Sequence, residues 1–161
     1  MIRRLRALFA IPLLLGLAAG LPACDGSKGG SDGQDAAIRI AVCGPMTGSA
    51  AAFGEMIKNA AKLKEKEINA AGGLEVNGVK RRVEAVIYDD KGDITEATNV
   101  SRNVANDDSI VMVIGHFNSV CSNNAKEEYG RAKIAAISPG STNVKVCKGY
   151  PYMFRNLYRD D

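Results

Sequence analysis

Apolar and polar residues alternate with two different periods along this chain, and the change of period predicts strands and helices in turn. Ile38, Ile40 and Val42 occupy every second position, a pattern typical of a strand. From residue 52 to residue 71 the apolar positions recur every three or four residues, with Lys and Glu between them. This spacing predicts a helix, and the pair Gly72-Gly73 is a typical helix end.

The rest of the chain continues the alternation of strands and helices. The turn pair Asn77-Gly78, between LEV and VKRRVEAVIY, predicts a hairpin of one short and one long strand. Asp93, with Glu96 as its capping-box partner, predicts a helix that runs to about residue 106. A strand buried on both faces (IVMVIG), a helix over residues 119–132 and two strands (KIAAIS and YMFR) complete the order. This order predicts an α/β fold with a doubly wound, mostly parallel sheet.

The first 36 residues follow neither period. Arginines precede an apolar run that ends in LPAC, a pattern that resembles a bacterial lipoprotein signal with Cys24 as the lipidated residue. Residues 24–36 are rich in Gly, Ser and Asp and predict a flexible tether. We therefore expect a signal peptide over residues 1–23, a tether over 24–36 and a folded domain over 37–161. An uncleaved membrane anchor with an unmodified Cys24 is the alternative.

Removal of the signal changes the charge of the chain. The formal net charge of +3 comes from the three arginines of the signal segment, which contains no acidic residue. The remaining chain is neutral, so its charge offers no argument for nucleic-acid binding.

The loop GPMTGSA after the first strand does not match the phosphate-binding motifs. Gly44 and Gly48 are three residues apart with no Lys after them, and they fit neither a P-loop nor a dinucleotide fingerprint. Two other predicted strands end in GHFNS and SPGST, and Ser119 is predicted as a helix N-cap. The carboxyl ends of parallel strands share one edge, and a helix N-terminus favours anions. We therefore expect a site for a single carboxylate at this edge.

Other candidate chemistry is sparse. His116 is the only histidine, so a metal site or a catalytic role is not expected. Asp89 and Asp90 leave open a flavodoxin-like or phospho-switch domain as an alternative. We find no nucleophile–base pair and no cofactor loop, which favours a binding protein over an enzyme.

Seven segments at suitable spacings resemble one known family. They are IRIAVCGPMTGSAAAFG, INAAGG, the NG turn, YDD, VIGHFNS, ISPGST and GYPYMFR. Together they are similar to the leucine/isoleucine/valine-binding proteins of branched-chain amino-acid ABC transporters, which have the type I periplasmic binding fold. The expected ligand-binding residues are Ser119, Thr142, Gly140, Ser141, Phe53 and Phe117. The resemblance implies that Ser119 binds the ligand carboxylate, Thr142 contacts both ends of the amino acid and the Gly140 carbonyl accepts from the ammonium. It places Phe53 and Phe117 at the side-chain pocket.

The same resemblance implies partners and a location. We expect a small amino-acid ligand, an ABC permease in the inner membrane and a lipid anchor that holds the protein in the periplasm. Members of the family have two lobes, and the far lobe supplies the carboxylate that pairs with the ammonium. The matching segments correspond to an incomplete first lobe that reaches the hinge at RNLYRDD. A truncated, non-binding remnant or a gene fragment is the alternative.

The cysteines differ from the family pattern. Some members carry a disulfide at positions that are Gly92 and Asn118 here, so that bridge is absent. For an oxidising compartment we expect Cys121 to pair with Cys147, with Cys43 as a buried thiol in the first strand.

Overall fold

The computed structural model describes residues 37–161, which form one parallel sheet covered by helices and a separate small hairpin. In chain order the elements are β1 (Ile38–Gly44), α1 (Ala51–Ala70), β2 (Leu74–Val76), β3 (Val79–Arg81), β4 (Val83–Asp89), α2 (Ile94–Ala105), β5 (Ile110–Ile114), α3 (Ser119–Ala132), β6 (Ala135–Ser138) and β7 (Met153–Arg155). The predicted signal, the tether and Cys24 lie outside the described residues. Within that range, no helix is both long and apolar enough to cross a membrane.

The sheet has the strand order β4-β1-β5-β6-β7, and every neighbouring pair is parallel. Two apolar clusters form its core. One cluster joins β1, β5 and β6 to α2 and α3 through residues such as Val104 and Tyr129. The other cluster contains Val42, Ile57 and Ala85 and joins the sheet to α1. Helices therefore cover both faces, and the predicted α/β class with a doubly wound parallel sheet is confirmed.

Side chains of α1 bind the outer edge of β4. Asn69 accepts a hydrogen bond from the Val83 amide and donates one to the Val83 carbonyl, both at 2.8 Å. At Ala85 the amide donates to Glu65 at 3.1 Å and the carbonyl accepts from Lys62 at 2.8 Å. An edge strand otherwise exposes these groups to strand addition, so α1 protects this edge of the sheet.

Two strands differ from their predicted form. The long strand after the turn is divided into β3 and β4, because β3 pairs with β2 in the hairpin whereas β4 pairs with β1. The strand β5 is not buried on both faces, since Val111 is 57% exposed. Arg39 pairs with Ile110 and Ile40 with Met112, so Val111 is the extra residue of a bulge.

The helix starts confirm one predicted cap and correct another. Asp93 is the N-cap of α2, and its carboxylate accepts from the Thr95 and Glu96 amides at 2.8 and 3.0 Å. The second bond of a capping box, from the Asp93 amide to the Glu96 carboxylate, is not formed. The Glu96 carboxylate accepts from the Lys91 ammonium instead, so this part of the prediction is wrong. Ser119 was predicted as the N-cap of α3, but Asn118 occupies the cap position and Ser119 is the first helical residue.

Candidate functional site

Four loops meet at the carboxyl edge of the sheet because all of its strands are parallel. They comprise residues 45–50, 90–93, 115–118 and 139–143, which follow β1, β4, β5 and β6 respectively. We call these four loops, with the first turns of α1 and α3, the rim. Ligands of open α/β sheets bind at this edge, so the rim is the candidate site.

Asp89, the last residue of β4, holds the loop after β1. Its carboxylate accepts from the Met46 amide at 2.9 Å, the Thr47 hydroxyl at 2.5 Å and the Lys91 amide at 2.8 Å. Burial acts to raise the pKa of Asp89, but the bonds from the Thr47 hydroxyl and the three amides outweigh it, so the pKa lies below its ordinary value. The carboxylate is thus occupied in fixing the loop.

The start of α3 presents backbone donors at the rim. Its first intrahelical bond runs from the Ser122 amide to the Asn118 carbonyl, at 3.0 Å. The amides of Ser119 and Val120 precede that bond and have no acceptor within the helix. The Ser119 hydroxyl is partly exposed and accepts from the Asn143 amide at 3.3 Å, so it lies beside the loop after β6. The positive end of the helix dipole favours an anion at this point.

The loop after β6 is held from two sides. A side chain on Gly140 would overlap the Phe117 ring, 2.9 Å from Cγ, so this glycine allows loop and ring to lie in contact. The Thr142 carbonyl accepts from the Arg155 guanidinium at 2.7 Å and from the Asp160 amide at 3.2 Å. These contacts fix the backbone on which Thr142 stands.

An apolar cavity of about 490 Å³ opens from the rim along α1. Phe53 and Phe117 stack at its mouth, with ring centroids 4.6 Å apart and planes inclined by 19°. Its lining residues are Phe53, Met56, Ile57, Ala60, Ala61, Lys64, Ile114, Phe117 and Pro139. Phe53 is 45% exposed, so the ring is available to an aliphatic group placed at the rim.

Two rim residues singled out from the sequence direct their side chains into the interior. Ser141 is fully buried, and its hydroxyl is 2.8 Å from the Ser122 hydroxyl and 3.1 Å from the Phe117 carbonyl oxygen. His116 is also fully buried, with Nδ1 2.6 Å from an Asp90 oxygen. Within residues 37–161 no group of three His, Cys, Asp or Glu side chains could hold a metal ion.

A family model described as a periplasmic binding protein matches residues 37–161, the whole of the described range. The chain belongs to the periplasmic binding protein family. An amino acid binding protein of Pseudomonas aeruginosa is 41% identical over 125 residues, which are 77% of this chain and 32% of the relative. A leucine-, isoleucine-, valine-, threonine- and alanine-binding protein of the same organism is 34% identical over 99% of this chain and 39% of its own length.

Solved structures agree with this family. The branched-chain amino acid substrate binding protein LivJ of Streptococcus pneumoniae, in complex with isoleucine, superposes with a TM-score of 0.70 at 31% identity over 77% of this chain and 34% of its own. An ABC transporter substrate-binding protein of Desulfitobacterium hafniense in complex with leucine gives 0.63 at 32% identity, over 76% and 35%. The chain thus spans about a third of the length of these relatives, as expected for part of the first lobe of the fold.

The structure of this periplasmic binding protein brings most of the predicted ligand residues together. Ser119, Gly140, Thr142 and the two stacked aromatic rings share the rim. The Ser141 hydroxyl does not share it, because it points into the interior. Sequence reasoning missed Arg155, which follows the aromatic residue of the short strand β7 and binds three carbonyl groups of the 141–144 segment. An arginine at a strand end carries no signal of that contact.

The predicted Cys121–Cys147 disulfide is not formed, since Cys43, Cys121 and Cys147 all carry free thiols. The Cys121 thiol is directed at the start of α2, with Sγ 3.7 Å from the Asp93 carbonyl oxygen. Cys147 lies in the segment before β7 and packs against the core cluster that contains Met153. Cys43 is a buried thiol as predicted, and burial raises its pKa and that of Cys121 to about 12.

Proposed function

We propose that this periplasmic binding protein binds the carboxylate of a branched-chain or similar small amino acid at the rim. It works as the substrate-binding lipoprotein of an ABC importer, anchored to the membrane through Cys24 and facing a permease in the inner membrane. It is not an enzyme, since its site residues are hydrogen-bond donors and apolar surfaces that suit capture and release.

The observation that carries the proposal is the position of α3 relative to the aromatic pair. The Ser119 hydroxyl accepts from the Asn143 amide, so it and the free amides at the start of α3 lie beside the loop that carries Thr142. The stacked rings of Phe53 and Phe117 and the apolar cavity begin next to them. A carboxylate on the donors would leave an aliphatic side chain against the rings, which is the arrangement of a small apolar amino acid.

The charge of the loops supports a single carboxylate over a phosphate group. Of the four rim loops, residues 45–50, 115–118 and 139–143 contain no Lys or Arg. The fourth contains Lys91, whose ammonium is paired with Glu96 at 3.1 Å. Neutral donors and a helix dipole are sufficient for one negative charge, whereas a polyphosphate calls for basic residues or Mg²⁺. Two similar solved structures are complexes with isoleucine and leucine, each of which carries a single carboxylate, and they support a carboxylate ligand.

The phospho-switch alternative has little support from the geometry. Asp89 already accepts bonds from the loop after β1, and Asp90 is fully buried against His116. Neither carboxylate is free to receive a phosphoryl group.

Isothermal titration with L-leucine, L-isoleucine and L-valine tests the binding proposal. Ser119→Ala should weaken binding by about tenfold to a hundredfold, since a hydrogen bond to a charged group contributes about 1.5–3 kcal/mol. Ser109→Ala, at the opposite edge of the sheet before β5, is the matched control and should bind as the wild type does. Leucinol, which lacks the carboxylate, should not bind. Equal affinity of the Ser119 variant and the wild type, or no binding of any of the three amino acids, would reject the proposal.

The anchor needs a separate experiment. Cells given radiolabelled palmitate should incorporate label into the wild-type protein and not into Cys24→Ser, and only the wild type should sediment with membranes. Label in the variant, or a wild-type protein without label, would contradict lipidation at this residue.

A further inference from the structure

Inward-facing side chains of the rim and its neighbouring elements form a hydrogen-bonded group that the binding proposal does not use. Of the described residues outside the apolar core, six polar or charged ones are buried, and five of these six belong to a single group. With Tyr129, which is also fully buried, this group is the His116 cluster: Asp90, His116, Ser122, Ser138, Ser141 and Tyr129. The sixth residue, Ser101, is bonded within α2 to the Thr98 carbonyl.

The imidazole of His116 joins two elements that are far apart in sequence. Nδ1 lies 2.6 Å from Asp90 Oδ2, and Nε2 lies 2.9 Å from the Tyr129 hydroxyl oxygen in α3. Asp90 uses its other oxygen to accept from the Gly92 amide at 2.8 Å. The ring thus connects the loop after β4 to the last turn of α3.

The backbone carbonyl of His116 connects the remaining parts of the rim. It accepts from the Ser138 hydroxyl at 2.6 Å, at the end of β6, and from the Ser122 hydroxyl at 3.0 Å, in the first turns of α3. The Ser138 oxygen in turn accepts from the Ser141 amide at 3.0 Å, which holds the loop after β6. One residue therefore ties three loops and the start of α3 together.

We propose that the His116 cluster is a positioning unit that fixes the Ser119 donors at a set distance from the Gly140–Thr142 backbone. The inference rests on the proposed carboxylate site, because those are its donors. No member of the cluster needs to touch the ligand, since all of them are buried. A fully satisfied buried polar network specifies one arrangement of the elements it joins, which apolar packing does less strictly. A carboxylate that must be met from α3 and from the loop after β6 requires that arrangement.

Single-atom variants test the proposal without removing the imidazole. Ser138→Ala removes the bond from β6 to the His116 carbonyl, and Tyr129→Phe removes the hydroxyl bonded to Nε2. Ser101→Ala is the matched control, because it also removes a fully buried hydroxyl but lies outside the cluster. Backbone amide NMR of the unliganded chain is the first measurement. Ser138→Ala and Tyr129→Phe should shift the Ser119 and Thr142 amide signals and speed their hydrogen exchange, while Ser101→Ala should leave both unchanged.

Ligand titration of the same variants gives the second measurement. Ser138→Ala should lower L-leucine affinity about tenfold in the wild-type background, as expected when one hydrogen bond to a charged group is lost. In the Ser119→Ala background the loss should be smaller, because only the backbone amides of the donor set remain to be displaced. This non-additivity separates positioning from general destabilisation. If the wild type binds no amino acid, the proposed function fails and the amide signals still decide whether the cluster positions the rim. Two results would overturn the inference. One is unchanged Ser119 and Thr142 amide signals in both variants. The other is an equal loss of affinity on Ser138→Ala in the wild-type and Ser119→Ala backgrounds.

Discussion

Gly140→Ala tests the contact between the loop after β6 and the aromatic pair at the rim. A methyl group at this position would overlap the Phe117 ring, where Cδ2 and Cε2 lie closest and Cγ is 2.9 Å away. Carbon atoms in contact are about 3.5–4.0 Å apart, so the ring must retreat by roughly 1 Å. The Phe117 ring in turn stacks on Phe53 at 4.6 Å, so its retreat would disturb the mouth of the apolar cavity.

The magnitude follows from three contributions. Overpacking costs about 1–3 kcal/mol, and the loss of an aromatic stack costs about 0.5–1.5 kcal/mol. Phe53 is 45% exposed, so we take the lower part of the range for the aromatic stack. Alanine also reduces the conformational entropy of the unfolded chain, and this effect raises the free energy of unfolding by about 0.4–1 kcal/mol. We therefore expect Gly140→Ala to lower the free energy of unfolding by about 1–3 kcal/mol and to weaken L-leucine binding.

Urea unfolding followed by circular dichroism measures the stability change, and titration calorimetry measures the affinity. Gly130→Ala, within the helix α3, is the control. Its added methyl group would meet only the Tyr150 ring, at an ordinary contact distance of 3.8 Å. That variant should be more stable than the wild type by up to about 1 kcal/mol, because alanine has the higher helix propensity. If Gly140→Ala is as stable as Gly130→Ala and binds as the wild type does, Phe117 does not pack on this glycine as described.

Three further predictions concern the edge strand, the rim loop and the thiols. Asn69→Ala should lower the free energy of unfolding by about 2 kcal/mol, because two hydrogen bonds to β4 are lost, and should promote self-association in sedimentation; the exposed Asn59→Ala on the same helix should change neither. The pKa of Asp89 is lowered on folding, so its contribution to stability is present above the unfolded pKa and is lost as pH falls through the folded value. The unfolding free energy of the wild type should thus fall more steeply between about pH 5 and pH 3 than that of Asp89→Asn, and parallel curves would refute this. In the native state a thiol reagent should modify Cys147 first, and Cys43 and Cys121 only after unfolding. An unreactive Cys147, with only one of these three cysteines modified after unfolding without a reductant, would instead support the Cys121–Cys147 disulfide.

Local patterns predicted most of the fold because each element has a strong periodic signal of its own. The alternation at Ile38, Ile40 and Val42 corresponds to β1, and the predicted helix over residues 119–132 matches α3. The order of strands and helices was enough to predict a parallel sheet, since crossovers of that kind have few alternatives.

The differences arose where long-range pairing decides the outcome. Val111 belongs to an apolar run, and only the register between β5 and β1 makes it the extra residue of a bulge. Asn118 and Ser119 are both good N-cap residues, so the sequence does not show which of them begins the helix. The structure assigns the cap to Asn118 and leaves Ser119 in the first turn.

The candidate site shows the same limit. The hydroxyl groups of SPGST marked a loop that lies at the rim, but the direction of each side chain depends on partners elsewhere in the chain. Ser141 turns inward because its neighbours are the Ser122 hydroxyl and the Phe117 carbonyl. The pairing of Cys121 with Cys147 failed for a similar reason, since the distance between two thiols is a property of the folded chain.

The central claim is that a small amino acid binds at the rim through its carboxylate. The most direct measurement is a titration of the ¹⁵N-labelled chain with L-leucine, followed by amide NMR, which also detects weak binding. We predict saturable shifts concentrated at residues 117–120 and 140–142, and none with leucinol. Saturable shifts located elsewhere, equal shifts with leucinol, or no saturable shift up to the solubility of the amino acid would contradict the account.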